Sequence, residues 1–312
     1  MKSKVFFFLY FLIYFQITVF NIYSAGQEER TLTVLYTSSL NGNLDGCTCK
    51  SSPKAGLVKR AVFLRNILAR ENIILLDSGD IFDTYPDKLL AENILDVYEE
   101  LGYDAIGAGD QEFSNGFEKL LEYRDNFPII SNNLIICPDE YRCIIFSDAP
   151  LIINKEDFRI GVFSILDPQV FSFYSDDFNQ NIIVLDIRTA SENMVSILEE
   201  NNVDITVLLY HGYYDNAKEL VNNVSGIDVV IVGHEQSLID AEIVGESIIV
   251  SPGEEGNRVG ILEISVLEDG TKSFNNSFEL FEYSKSPDDP YVREIIDNYN
   301  NILKSRILEN SR

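Results

Sequence analysis

Strand-like apolar runs alternate with segments of helical spacing over residues 32–232, and this order constrains the fold more than any other feature. The predicted strands cover residues 32–37, 73–77, 105–106, 128–131, 158–166, 205–210 and 228–232. The predicted helices cover residues 57–70, 88–101, 113–123, 190–201 and 217–224. Because a strand, a helix and a second strand build a βαβ unit, the alternation predicts an α/β protein with buried sheets covered by helices.

The chain changes character after residue 232. Four further strand-like runs cover residues 238–244, 247–250, 259–267 and 274–283. The turn residues Asp269 and Gly270 between the last two runs favour antiparallel pairing. The pattern of apolar and polar residues over positions 291–308 predicts a final amphipathic helix. Since no Pro-, Gly- or Ser-rich linker divides the chain, we expect residues 26–312 to form one domain.

The first 25 residues have the order of a secretory signal. Lys2 and Lys4 precede the apolar run 5–20, and a short polar stretch leads to Ala25, after which we expect cleavage. An uncleaved anchor is the alternative, although the run is shorter than the ~20 residues of a spanning helix. We therefore expect export to the periplasm or the extracellular space, with no stable membrane span in the mature protein.

The chain has an even number of cysteines, namely Cys47, Cys49, Cys137 and Cys143. Export would permit disulfides, and four cysteines allow three connectivities. A bond within the Cys-Thr-Cys segment would close a very tight ring. The pairing of Cys137 with Cys143 closes a short loop, and it is the one that we favour.

Acidic residues outnumber basic ones by 50 to 24, which gives a formal charge of −26. Nucleic-acid binding is excluded on this ground, because phosphate backbones require clustered Lys and Arg. Intrinsic disorder is unexpected as well, since 46% of the residues are hydrophobic and can bury a core. The negative field also implies that a phosphorylated ligand would need a cation to screen it.

Polar side chains follow the predicted strands at the places where sites form in open α/β sheets. Residues at these strand ends include Ser39, Asn41, Asp77, Asp80, Asp110, Gln111, Glu112, His211, His234 and Gln236. The chain has two histidines, so a three-histidine zinc site is excluded. A single histidine after a strand is usually structural. Two histidines, each beside a glycine and near carboxylates, favour a site for Zn, Mn or Fe.

These strand ends resemble the sequence blocks of the calcineurin-like metallophosphoesterases, specifically the catalytic domain of the 5'-nucleotidase family. The matching segments, in family order, are Ser-Leu-Asn-Gly (39–42), Gly-Asp (79–80), Gly-Asp-Gln-Glu-Phe-Ser-Asn-Gly (109–116), His-Gly (211–212) and Gly-His-Glu-Gln (233–236). The resemblance covers residues 32–267. It implies a four-layer αββα sandwich, with two facing mixed sheets flanked by helices and the site at the strand ends.

The resemblance also implies a metal site. In the family two ions share the aspartate of the second block, which is Asp80 here. The second ion also uses the positions of Asp110, His211 and His234. Asp110 stands where the family has asparagine, and its added charge should strengthen cation binding. The resemblance therefore implies one divalent ion, such as Mn, Zn or Fe, on these four residues.

The first-metal position departs from the family pattern. Ser39, Asn41 and Gln236 stand where the family has an aspartate and two histidines, and all three are weak neutral donors. This degenerate position argues against a second ion. Cys47 and Cys49 could in principle replace the lost ligands as thiolates, whereas a disulfide or a structural role is the alternative.

The family's catalytic histidine is replaced by Gln111. Glutamine can donate a hydrogen bond but cannot relay a proton, so Gln111 and Asn41 are expected to contact phosphate at most. The resemblance implies hydrolysis of a small phosphorylated substrate, slow with one ion. The alternatives are an inactive protein that binds a metal, ligand or partner outside the cytoplasm, and a cysteine-assisted or redox-linked variant.

Residues 268–312 are expected to supply only C-terminal strands and a helix. We expect the protein to lack the family's separate C-terminal domain, which holds the nucleoside base. Nucleotide specificity is therefore not implied.

Overall fold

A computed structural model of the protein describes residues 29–48, 53–139, 141–253 and 255–310. The strands are β1 (Arg30–Thr37), β2 (Ile73–Asp77), β3 (Ala105–Gly107), β4 (Ile129–Ile130), β5 (Leu134–Asp139), β6 (Arg142–Ile145), β7 (Leu151–Lys155), β8 (Phe158–Leu166), β9 (Ile182–Val184), β10 (Ile205–Gly212), β11 (Val229–His234), β12 (Leu238–Val244), β13 (Ser247–Pro252), β14 (Arg258–Val266) and β15 (Lys272–Leu280). The α-helices are α1 (Leu57–Ile67), α2 (Lys88–Leu101), α3 (Phe117–Asn126), α4 (Asp176–Asn179), α5 (Ile187–Glu200), α6 (Tyr214–Asn223) and α7 (Pro290–Asn310). The export signal predicted at residues 1–25 lies outside the described residues.

Two six-stranded mixed sheets carry the fold. The first has the strand order β15-β14-β1-β2-β3-β4, with β1 to β4 parallel and β14 and β15 antiparallel at one side. The second has the order β12-β13-β11-β10-β8-β7, with a parallel centre and antiparallel strands at both edges. A smaller sheet has the order β6-β5-β9. The predicted α/β class with mixed sheets is confirmed.

The two large sheets face each other across an apolar core. Val34 and Ile74 of the first sheet pack in this core with Val207 and Ile231 of the second. Successive side chains of a strand point to opposite faces, so Leu35 packs on the outer side of the first sheet instead. Both faces of each central strand are buried, which explains the unbroken apolar runs in the sequence.

Helices cover the outer faces of both sheets. Leu64 of α1 and Ile94 of α2 pack with Leu35 on the first sheet, and α7 joins the same core through Val292. On the second sheet, Leu198 of α5 packs in the outer core with residues of α6, β8 and β10. The order helix, sheet, sheet, helix is the predicted four-layer sandwich.

Local signals set the bounds of α2. The side chain of Asp87 accepts a hydrogen bond from the backbone N–H of Leu90 and so caps the first turn. The helix ends at Leu101, and the capping residue Gly102 adopts a left-handed backbone with φ of 73°.

The helix predicted over residues 113–123 starts at the wrong place. A 3₁₀ turn covers Gln111–Asn115, and α3 begins only at Phe117. Gly116 separates the two with φ of 92°, a conformation that continues no right-handed helix. The site residues of this segment therefore lie on the 3₁₀ turn.

The C-terminal strands pair antiparallel, but they are divided between the sheets. β12 and β13 form a hairpin at the edge of the second sheet. β14 crosses to the first sheet, where it pairs with β1 and β15. Apolar runs alone could not predict this crossing.

Among the described residues, no helix combines the length and the apolarity needed to cross a bilayer.

A disulfide joins Cys137 on β5 to Cys143 on β6 and closes the hairpin of the small sheet. Cys47 is also disulfide-bonded, which argues against its role as a thiolate ligand. Cys49 lies outside the described residues.

Replacing Cys137 and Cys143 together with serine is expected to lower the free energy of unfolding by about 2 kcal/mol, because the crosslink restricts a short loop of the unfolded chain. Urea unfolding of the oxidised protein and the double variant measures the difference. Reduced wild type, which also loses the disulfide of Cys47, should unfold at the midpoint of the reduced double variant. Equal midpoints for oxidised and reduced wild type would contradict a stabilising crosslink.

Candidate metal centre

Four predicted ligands meet where the carboxyl ends of the two sheets converge. Asp80 follows β2 and Asp110 follows β3, so the first sheet supplies both carboxylates. His211 lies near the end of β10 and His234 ends β11, so the second sheet supplies both imidazoles. β10 and β11 are parallel neighbours, with His211 opposite Gly233. Their parallel register brings both rings to the same edge.

The four side chains could hold one metal ion. One ligand atom from each of Asp80, Asp110, His211 and His234 lies within 4.8 Å of all the others. His211 Nε2 is 3.3 Å from Asp80 Oδ1 and 3.2 Å from Asp110 Oδ1. His234 Nδ1 is 3.0 Å from Asp110 Oδ1. Two carboxylate oxygens and two imidazole nitrogens fit Zn, Mn or Fe.

Burial makes the charges of this cluster costly. Asp80 is 1% exposed and His211 is 0% exposed. Burial opposes ionisation of Asp110, but its hydrogen bonds with His211 and His234 hold the pKa of the carboxyl below its usual range. Burial likewise opposes protonation of His211, yet the charge of Asp80 raises the pKa of the imidazole well above its usual range. The two carboxylates thus favour positive charge between them.

His211 is oriented by the backbone. Its Nδ1 lies 2.8 Å from the carbonyl oxygen of Ser78. A carbonyl oxygen only accepts, so Nδ1 carries the proton and Nε2 faces the carboxylates. This is the arrangement that a metal-ligating histidine needs.

Glu112 holds the turn that carries Asp80. The Glu112 carboxylate accepts hydrogen bonds from the backbone N–H groups of Asp80, Ile81 and Gly109. Burial and then the charge of Asp80 raise the pKa of Glu112 to about 7. Glu112 therefore supports the loops on which both carboxylate ligands lie.

Glycine permits the close approach of these loops. A Cβ atom on Gly109 would lie 2.5 Å from His211 Cε1 and 2.6 Å from Asp80 Oδ1. A Cβ atom on Gly233 would lie 2.4 Å from the Ser78 carbonyl oxygen. Side chains at these positions would displace the ligands.

Backbone strain is concentrated at the site. Non-glycine residues with φ between 49° and 72° include Ser39, Asn41, Asp80, His234 and Gln236. This left-handed region is costly for residues with a side chain, and it persists where the surrounding structure imposes it. Ser39, Asn41 and Gln236, the residues at the predicted first-metal positions, therefore share the backbone conformation of the candidate ligands Asp80 and His234.

The predicted phosphate contacts lie beside the cluster. Gln111 Nε2 donates to Asn41 Oδ1 at 2.9 Å, and the Gln111 backbone N–H donates to Asp80 Oδ1 at 3.1 Å. Ser39 is fully buried, and no residue that the structure describes forms a hydrogen bond with its hydroxyl. Gln236 is half-buried in the middle of the β11–β12 connection.

Two aromatic neighbours of the cluster were not among the predicted site residues. The Tyr174 hydroxyl donates to Asp110 Oδ2 at 2.9 Å, and burial and the charge of Asp110 raise the pKa of Tyr174, which keeps its proton. The ring of Tyr213 packs edge-on against His234, with centroids 5.2 Å apart. Tyr213 directly follows the His-Gly pair, so its place at a strand end marked it in the sequence. Tyr174 lies well beyond the end of the predicted strand 158–166, where no pattern marked it.

A buried charge network lies under the Asp80 turn. Asp77 Oδ2 accepts hydrogen bonds from Tyr98 and Thr37, at 2.9 and 2.5 Å. The Tyr98 hydroxyl in turn accepts from Arg60 Nη2 at 2.5 Å. Asp77 Oδ1 accepts from the Gly79 backbone N–H at 2.9 Å. Asp77 therefore joins the Arg60 guanidinium to the backbone that presents Asp80.

Comparison with known proteins gives clear relatives, although no protein-family model matches the chain. The 5'-nucleotidase of Diplobatis ommata is 29% identical over 225 residues, which cover 67% of this chain and 38% of that protein. The chain spans between 21% and 53% of the length of four such curated relatives.

Solved structures share the fold. The structure of a 5'-nucleotidase precursor from Thermus thermophilus has a TM-score of 0.75 at 21% identity and covers 88% of this chain and 59% of that one. The calcineurin-like phosphoesterase YfkN from Bacillus subtilis has a TM-score of 0.73 at 18% identity and covers 89% of this chain and 99% of that one. The structures show the shared sandwich fold, and together with the sequence relatives they support the calcineurin-like family, with 5'-nucleotidases among the proteins that the chain is similar to.

Proposed function

We propose that the protein is a metal-dependent phosphate-ester hydrolase with one divalent ion on Asp80, Asp110, His211 and His234. One observation carries this proposal: four ligand atoms, one from each residue, lie within 4.8 Å of one another where the two sheets meet. Their donor set suits Mn, Zn or Fe, and the buried carboxylates favour a cation between them.

The residues around the cluster limit the chemistry. A bound ion would lower the pKa of a water molecule and polarise a phosphoryl oxygen. The amide groups of Asn41 and Gln111, which already touch each other, are suited to contact phosphate oxygens. Gln111 cannot relay a proton, so protonation of the leaving group depends on solvent and turnover is slow.

A single ion is favoured over two. Ser39, Asn41 and Gln236 offer only neutral oxygen donors, and the buried Ser39 hydroxyl has no partner in the described part of the chain. Weak neutral ligands do not offset the cost of dehydrating a second ion next to the first. We therefore interpret the first-metal position as degenerate.

Small phosphorylated molecules are the proposed substrates. The related proteins include a 5'-nucleotidase and a trifunctional nucleotide phosphoesterase. This chain matches only part of their length, so the proposal stays at the class of phosphate esters.

The proposed protein is exported to the periplasm or the extracellular space. Its residues 26–312 are proposed to form one domain. The Cys137–Cys143 disulfide supports an oxidising compartment. The signal-like order of the first 25 residues supports the same route.

A protein that binds a metal, ligand or partner without turnover is the second candidate. The substitution of the family's proton-relaying histidine by Gln111 favours it. Binding would use the same four ligands, so metal content alone does not separate the two functions.

Metal analysis combined with a phosphatase assay tests the proposal. Protein dialysed against Mn²⁺ or Zn²⁺ is expected to hold about one ion per chain and to hydrolyse p-nitrophenyl phosphate slowly. Asp80→Ala should lose both metal binding and turnover, because Asp80 is itself one of the four proposed ligands. Asp148→Ala, at an exposed position of the same charge, is the matched control and should retain both.

Three outcomes distinguish the candidates. One bound ion with turnover that depends on Asp80 supports the hydrolase. One bound ion without turnover, at high protein concentration and with each metal, favours the binding protein. Two bound ions would overturn the degenerate interpretation of the first-metal position.

A further inference from the structure

Tyr174 reaches the metal cluster from the connection between β8 and β9. It follows the 3₁₀ turn Pro168–Phe171 and precedes α4. Its hydroxyl donates to Asp110 Oδ2 at 2.9 Å and lies 3.2 Å from the Asp110 carbonyl oxygen. The other carboxylate oxygen, Oδ1, is the one that faces His211 and His234.

We propose that Tyr174 is a positioning residue that aims Asp110 Oδ1 at the bound ion by holding Oδ2 away from it. This inference rests on the proposed metal site. A carboxylate has two equivalent oxygens and rotates between them, whereas a ligand must present one oxygen in a fixed direction. A hydrogen bond to the outer oxygen removes that freedom.

The tyrosine ring is itself held firmly. Its centroid lies 4.5 Å from that of Phe178 and 5.3 Å from that of Phe171. Both rings pack on Phe113, which belongs to the 3₁₀ turn directly after Asp110. The aromatic cluster thus fixes the hydroxyl relative to the segment that carries the ligand, which is what a positioning role requires.

The carboxylate of Asp110 explains why a hydrogen bond from Tyr174 would matter at this position. The family pattern has asparagine here, whose amide offers one oxygen and a nitrogen that cannot ligate a cation. The carboxylate of this chain offers a second oxygen that competes for the ion. The Tyr174 hydroxyl engages that second oxygen.

The test measures Mn²⁺ affinity by titration calorimetry on the full chain. Tyr174→Phe keeps the ring and removes the hydroxyl, and it should raise the Mn²⁺ dissociation constant about tenfold, as loss of a partner to a metal ligand does. Tyr123→Phe is the matched control: its side chain is buried, and its hydroxyl has no hydrogen-bond partner among the described residues. Its dissociation constant should equal that of wild type.

Thermal unfolding separates positioning from a structural role. Without metal, Tyr123→Phe should unfold close to the wild-type temperature, whereas Tyr174→Phe should unfold somewhat lower, because it loses its hydrogen bond to the buried Asp110 carboxylate. At the Mn²⁺ concentration that saturates wild type, the metal should raise the Tm of Tyr174→Phe less than it raises the Tm of wild type and of Tyr123→Phe. A similar fall of Tm with and without metal would indicate a structural role and overturn the inference.

The remaining outcomes are also decisive. Wild type that binds Mn²⁺ with the same affinity as Tyr174→Phe contradicts the positioning role and leaves the proposed function standing. Wild type that does not bind Mn²⁺ or Zn²⁺ overturns the proposed metal site, and the role of Tyr174 fails with it.

Discussion

Replacing Gly109 with alanine is expected to weaken divalent-ion binding by at least about 100-fold, although all four ligands remain. The new Cβ atom would lie 2.5 Å from His211 Cε1 and 2.6 Å from Asp80 Oδ1. His211 cannot retreat without losing its hydrogen bond to Ser78, and Asp80 lies on a turn held by Glu112. The methyl group would therefore separate an imidazole ligand from a carboxylate ligand. Calorimetric titration with Mn²⁺ and metal analysis after dialysis measure the loss.

Gly245→Ala is the matched control for this substitution. Gly245 lies in the turn between β12 and β13 with φ of 62°, and its added Cβ would meet nothing within 4 Å. Alanine there should lower stability by about 1–2 kcal/mol through backbone strain and leave ion affinity unchanged. If Gly109→Ala binds Mn²⁺ as tightly as Gly245→Ala, the proposed ligand set is wrong.

Asp77→Asn is expected to lower the free energy of unfolding by about 3–5 kcal/mol, a large part of the stability of an ordinary domain. Asp77 and Arg60 are both fully buried. Asparagine has nearly the same shape, but it leaves the guanidinium without the carboxylate that offsets its charge. Chemical denaturation of the variant and the wild type measures the difference.

Two further variants show whether charge is the cause. Asp125→Asn changes an exposed surface pair with Arg124 and should shift stability by less than about 0.5 kcal/mol. Combining Arg60→Met with Asp77→Asn removes both buried charges and should recover part of the loss. A double variant that is less stable than Asp77→Asn would show that Arg60 is held by packing and not by its counter-charge.

The sequence predicted much of the fold because strands buried on both faces leave unbroken apolar runs. The same runs locate their own carboxyl ends, where Asp80, Asp110, His211 and His234 occur. Parallel strands align those ends at one edge, so side chains far apart in the sequence come together. Glu112 is also among these strand-end residues, but its hydrogen bonds to the backbone of Asp80 and Gly109 became visible only in the structure.

Features that depend on contacts between distant segments of the chain could not be predicted from the local sequence pattern. The chain crosses from the second sheet at β13 to the first sheet at β14, and the apolar runs of both strands are alike. Tyr174 lies in an aromatic segment whose composition indicates packing alone. Its hydroxyl becomes relevant only because the connection after β8 folds back over Asp110.

The division of ligands between the sheets has a consequence for how this protein can be recombined. One half of the chain brings a pair of carboxylates and the other half brings a pair of imidazoles, so neither half carries the centre alone. In a chimera with a relative, every ligand could be retained and the centre still lost. The spacing between oxygen and nitrogen is set by inter-sheet packing, through apolar residues such as Val34 and Val207. Compatibility between halves is therefore decided in the apolar interior, at positions that take no part in the chemistry.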